Sequence, residues 1–137
     1  MALEFLNDQG TWVTASTAAK RRTGDRMLYK SDGHSGDGFI SGIVAPPGAR
    51  KVLYFPYDYD GAGAVTAGTA TLVAVDPIDG NTQTSQLVTG SQCQPATLTK
   101  AAPKCGYSTI VPSLFGLQIE NFAATGETVD IMIEIQY

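Results

Sequence analysis

His34 is the single histidine of the chain, and it sits in the run Ser31-Asp32-Gly33-His34-Ser35-Gly36-Asp37-Gly38. Asp32, His34 and Ser35 are the residue types of a nucleophile, its base and the carboxylate that orients the base. Such triads assemble from separate elements, so that the base is held over the nucleophile by a buried acid. Here all three types crowd into one glycine-rich stretch. Gly33-His34-Ser35-Gly36 also lacks the spacing of a nucleophile elbow, because Asp37 stands where the second glycine belongs. The run reads as an exposed turn, with a contact loop against another protein as the alternative. No residue is assigned a catalytic role.

Other oxygen-, sulfur- and nitrogen-bearing groups are equally sparse. Asp58-Tyr59-Asp60-Gly61 begins like a calcium loop, but no Asp or Glu follows until Asp76, so the later ligands of that loop are missing and a turn is the better reading. Asp76 and Asp79 flank Pro77, and paired carboxylates of a glycosidase would need a cleft holding them at a set separation. Cys93 and Cys105 are the only cysteines. A disulfide between them would close a short loop worth about 3 kcal/mol in the chain-entropy model, whereas synthesis in a reducing compartment would leave two free thiols. Two cysteines and one histidine do not form a closed zinc set. The expectation is a chain without metal or cofactor.

Groups suited to binding are easier to find. Tyr54, Phe55, Tyr57 and Tyr59 cluster within six residues, and in strand phase Phe55, Tyr57 and Tyr59 share a face. They either fill a core or edge, or present tyrosines to a protein or a sugar. Trp12 near the start is a candidate interface anchor. Lys20-Arg21-Arg22 is either a solvated loop or a basic arm that docks on an acidic partner surface. Candidate partner-binding residues are therefore Trp12, Lys20, Arg21, Arg22, Tyr57 and Tyr59.

The elements that must carry these residues are strands. The chain has 137 residues, 43% hydrophobic and 16% charged, with 15 Gly and 7 Pro. About 25% charge is usual. Turn-forming residues are abundant and helix formers scarce, which excludes a helical bundle, a coiled coil and a highly charged disordered chain. No apolar run approaches the roughly 18 residues of a membrane-spanning helix.

Val129, Ile131, Ile133, Ile135 and Tyr137 alternate with Thr128, Asp130, Met132, Glu134 and Gln136, the signature of a half-buried strand. Leu114–Glu120, Val52–Phe55 and Thr69–Asp76 are further strands. Pro56 ends the second of these or holds it at an edge. Thr82–Thr89, Phe39–Val44, Met27–Lys30 and Thr11–Thr14 are shorter candidates. Asn121–Gly126 is expected to be a connector, and Gly61–Ala70 a flexible loop. Only residues 14–23 have the makings of a short helix, stopped by Gly24. The prediction is an all-β, single-domain antiparallel β-sandwich or jelly roll over residues 26–137, preceded by an extended N-terminal arm over residues 1–25.

Charge is segregated along the chain. Residues 1–51 hold seven bases and five acids, and residues 52–137 hold two bases and eight acids, for a net charge of −4. An acidic chain is a poor general partner for nucleic acid. Met1–Asp8 lacks the basic start and apolar run of a secretory signal, so cytoplasmic synthesis is expected.

Three features together resemble small virion proteins of tailed bacteriophages, in particular capsid cement or decoration proteins. They are the unprocessed start through Gly10-Thr11-Trp12, the low-charge body rich in Gly, Ala and Thr, and the closing strand from Ala124 to Tyr137. The resemblance implies a non-enzymatic structural protein on the capsid surface. It would bind and stabilise the major capsid protein or other virion subunits, and would itself be a dimer or trimer. Nucleic acid and membrane are not among the implied partners. A carbohydrate- or receptor-binding sandwich of a phage tail or fibre, and a small hydrolase using His34 or the Asp76/Asp79 pair, are the rival expectations.

Overall fold

Alternation of apolar and polar residues decides which side of each strand faces inward, and two antiparallel sheets result. A computed structural model of the chain describes residues 3–7, 9–14, 26–75, 82–86 (backbone) and 91–137. Twelve strands are described: β1 (Leu3–Leu6), β2 (Trp12–Thr14), β3 (Arg26–His34), β4 (Gly38–Val44), β5 (Lys51–Tyr59), β6 (Ala64–Val75), β7 (Thr82–Gln86), β8 (Cys93–Gln94), β9 (Ala96–Thr97), β10 (Gly106–Ser108), β11 (Leu114–Thr125) and β12 (Val129–Gln136). One sheet has the order β2-β1-β3-β12-β5-β10-β8, and the other has β4-β11-β6-β7, with β9 also paired to β6. The molecule is an all-β sandwich.

The closing strand behaves as its alternation predicts. Val129, Ile131, Ile133 and Ile135 are fully buried. They meet Met27, Tyr29, Val52 and Tyr54 from the same sheet and Ile43, Leu72, Phe115, Leu117 and Ile119 from the other. Tyr29 ties the sheets together, donating its hydroxyl to the Val44 carbonyl at 3.0 Å.

Several expected boundaries move, each for an identifiable reason. Residues 64–70 are strand, not flexible loop, because the small side chains of β6 leave room for Leu98 and Phe122 to pack close over Gly68. Residues 121–125 are likewise strand. β11 shifts register between Glu120 and Ala123 and again at Ala124, and Asn121 takes a φ of 55°, so the strand follows β6 to its start instead of turning away. β5 runs through Pro56 to Tyr59. Pro56 lies beyond the three residues that β10 pairs and at the register shift against Ile131, where the ladder tolerates a missing N–H.

The first part of the expected arm is sheet: β1 pairs with β3, placing Phe5 opposite Tyr29, and β2 folds back on β1. Residues 15–23 of the expected helix, and the bases Lys20, Arg21 and Arg22, lie outside the described residues, as do Asp76 and Asp79.

Candidate functional site

The β3–β4 hairpin carries the histidine run. His34 is the last residue of β3 and is buried, not exposed as a turn residue would be. Its Nε2 lies 2.8 Å from Ser31 Oγ, itself buried three residues earlier. Burial holds the imidazole below its ordinary pKa of 6.5. Asp32 points elsewhere: it accepts from the Tyr57 hydroxyl and lies 3.5 Å from Lys30 Nζ. Asp37 accepts from the Phe122 amide at 2.8 Å and thereby pins the hairpin to β11. Asp32 and His34 of the apparent triad are thus spoken for by different neighbours, and Ser35 lies in the exposed turn after β3. A cavity of about 280 Å³ opens beside His34, lined by residues 34–39.

The acidic end of the same sheet is a constellation that short-range spacing missed. Asp58 lies in β5, Asp60 follows it, and Asp130 lies opposite Asp58 on β12. One carboxylate oxygen from each falls within 4.8 Å of the others. The expected turn at Asp58-Tyr59 is strand, and the third carboxylate arrives across the ladder. Asp130 is buried and accepts from the Gly33 amide at 2.7 Å. Desolvation, followed by the neighbouring Asp60 and Asp32, raises its pKa to about 6. Asp58 accepts from the Tyr59 amide at 2.9 Å, and Asp60 accepts from the Thr128 hydroxyl at 3.1 Å. Three oxygens make only part of the six-to-eight-oxygen shell of a calcium ion. What the arrangement does by itself is favour the neutral form of Asp130, which relieves its repulsion with the neighbouring carboxylates.

Beside it lies a second charged knot. Glu127, whose side chain is fully enclosed, accepts from Lys100 Nζ at 2.6 Å, from the Thr128 amide at 3.0 Å and from the Gly61 amide. Lys100 also donates to the carbonyls of Gly63 at 3.0 Å and Gly61 at 3.2 Å. The ammonium therefore neutralises the carboxylate and satisfies the β5–β6 turn. These bonds hold Glu127 below the usual carboxylate range, the Lys100 bond contributing most.

The candidate binding residues separate. Trp12 is half-buried on the outer side of its sheet, with Lys30 Nζ 4.9 Å from its ring centroid. Tyr57 is 36% exposed, held at its tip by Asp32. Tyr59 packs against the core and donates to the Leu98 carbonyl at 2.8 Å, which makes it a structural residue. Tyr54 is buried, donating to the Gln94 carbonyl at 2.7 Å. The exposed aromatic the sequence did not single out is Phe39 on β4, 45% exposed.

Cys93 and Cys105 are both free thiols, so the disulfide alternative is not realised. Cys93 is buried with Sγ 3.8 Å from the Tyr54 hydroxyl, whereas Cys105 is exposed with Sγ 3.2 Å from the Gly106 carbonyl.

No protein-family model, curated protein or solved structure matches the chain.

Proposed function

We propose that the chain is a non-enzymatic structural protein of a virus particle, a capsid cement protein that binds and stabilises a shell of coat subunits. The observation that carries this reading is strand β4. It is an edge strand with the sequence Gly-Phe-Ile-Ser-Gly-Ile-Val, free of charge and of proline. Edge strands are ordinarily blunted by lysine, proline or a bulge, because an open row of N–H and C=O groups templates pairing with another chain. β4 has only the bulge, at Ser41–Gly42 opposite Gly116. Among the described residues its first half remains an open ladder crowned by Phe39. An extended segment of a coat subunit can add there as a further strand, with Phe39 as anchor. The tying of His34, Asp32 and Asp37 into separate structural bonds also supports a binding role over a hydrolytic one.

The test is co-sedimentation of the purified chain with particles from its native source. Wild-type protein is expected to pellet with the particles and to raise their disruption temperature, while Phe39→Glu remains in the supernatant. Wild-type protein that never pellets would sink the reading.

A glycan-binding role is favoured by one observation, the exposed Tyr57 beside the Asp32 carboxylate, since sugars stack on aromatic faces and bond to acids. Glycan binding lost in Tyr57→Ala and retained in Phe39→Glu would select it.

A further inference from the structure

The seven-stranded sheet has an outer face that the core does not use. Along β3, β5 and β12 the residues between the buried ones point outward. Register places Lys30, Met132 and Phe55 on one rung, and Leu28, Glu134, Leu53 and Tyr107 on the next. Leu28, Leu53, Phe55 and Met132 are each half-buried, and none belongs to the core cluster or packs against it. Trp12 extends the patch over β1 and β2, opposite Leu6. A solvent-facing side of an antiparallel sheet is normally polar. Here it is a band of aliphatic and aromatic side chains.

The bases among the apolar rungs each have a partner. Lys30 Nζ lies 4.0 Å from Glu4 and 3.5 Å from Asp32, Arg26 lies 3.0 Å from Glu134, and Lys51 lies over the Tyr107 ring. Across the apolar rungs three bases stand with three acids, while Asp58 and Asp130 lie at one end of the same face. The centre of the face is therefore electrically balanced, and its uncompensated acids sit at the end. A balanced apolar surface does not steer a charged partner. At the centre of the face it lets a second acidic copy approach without like-charge repulsion.

We propose that this face is the interface of a homodimer, two copies stacking sheet on sheet about a twofold axis. Six strand spacings of about 4.8 Å and a ladder of about 27 Å, tapering at the short edge strands, give about 700 Å² per subunit. Two such faces bury about 1,400 Å², within the range of stable specific interfaces. Stacking at about 10 Å lets the rows of large side chains interdigitate as they do inside a sandwich. The isologous arrangement closes at two. The proposal goes beyond coat binding, which uses the opposite sheet, and stands or falls without any particle.

Sedimentation equilibrium of the purified full chain from about 1 μM to about 100 μM brackets a micromolar dissociation constant. A monomer–dimer equilibrium is expected, with no larger species. Phe55→Lys and Leu53→Lys should each weaken it by about 30-fold or more, the scale of losing a central anchor, with unchanged circular dichroism because neither side chain is in the core. Phe39→Glu should leave it unaltered. Quenching of Trp12 fluorescence by acrylamide should fall as wild-type concentration rises, a readout that needs no variant. A wild-type monomer throughout, a trimer, or a dimer indifferent to both lysine substitutions would overturn the proposal, and each leaves the sedimentation test of coat binding intact.

Discussion

Asp130 faces Asp58 across the β5–β12 ladder, and its buried carboxyl favours the neutral form. The folded-state pKa of about 6 is above the ordinary value of 3.8, so the folded state binds more protons than the unfolded chain between those values. Stability from this group is fully present below about pH 4 and is lost as pH rises through 6. Asp130→Asn, which keeps an acceptor for the Gly33 amide, should raise stability by about 1 kcal/mol at pH 7.5 and by much less at pH 4. Thermal unfolding at the two pH values checks it. An equal increment at both would contradict a carboxyl whose folded-state pKa is raised.

Glu127 runs the other way. Its pKa is lowered by Lys100, so its contribution is present above the ordinary value of 4.5 and is lost as pH falls through the lower folded value. Glu127→Gln should lower the midpoint of thermal unfolding at pH 7, and the gap to wild type should close in acid. Lys100→Met should cost more than Glu127→Gln, because it leaves an enclosed carboxylate without its cation. The double variant Lys100→Met/Glu127→Leu should be more stable than Lys100→Met alone. With Glu127→Leu as the second single variant, strict additivity in the double-mutant cycle would show the pair is not coupled.

The two charged knots also mark what one-dimensional reading can reach. Strand identity was legible in β12 and the first half of β11, because each buries one face and the period-two pattern is local. Asp58 and Asp60 were visible as a pair, but their third partner depends on which strand lies beside β5, and that pairing is set by burial across the whole sheet. The same blindness applies to Lys100 and Glu127, whose surroundings carry no spacing signal at all. β8, β9 and β10 escaped notice because two or three residues are too few to display a period. β6 was misread over residues 64–70 because Gly and Ala there signal a loop by composition, while their real purpose is close approach to Leu98 and Phe122. The outer-face apolar residues were legible only as members of strands. Their alternation partners are equally apolar, so the sequence did not distinguish inside from outside.

Gly106 illustrates the close-approach case in a testable form. A Cβ there would lie 2.3 Å from the Tyr54 ring, 2.5 Å from the Ala96 nitrogen and 2.8 Å from the Gln94 carbonyl. Two of those are backbone, so the strain has no cheap outlet. Gly106→Ala should destabilise by about 2–3 kcal/mol. Gly36→Ala, in the β3–β4 turn with nothing within 4 Å of its Cβ position, should stay within about 0.5 kcal/mol of wild type. Urea unfolding of both variants makes the comparison, and equal effects would refute the packing argument.

The two thiols should differ in reactivity with a disulfide reagent such as Ellman's. Cys93 is enclosed beside Tyr54, so it should react only as the protein opens. Cys105 is exposed, but burial of its sulfur raises its pKa above the ordinary 9.0, leaving little thiolate at neutral pH. The native protein should therefore titrate one thiol slowly, with the rate rising toward pH 9, and a second only in denaturant. Cys105→Ser should remove the native-state reaction without lowering stability by more than about 0.5 kcal/mol. Two rapid native thiols, or none in denaturant without reductant, would contradict the free and unequal pair.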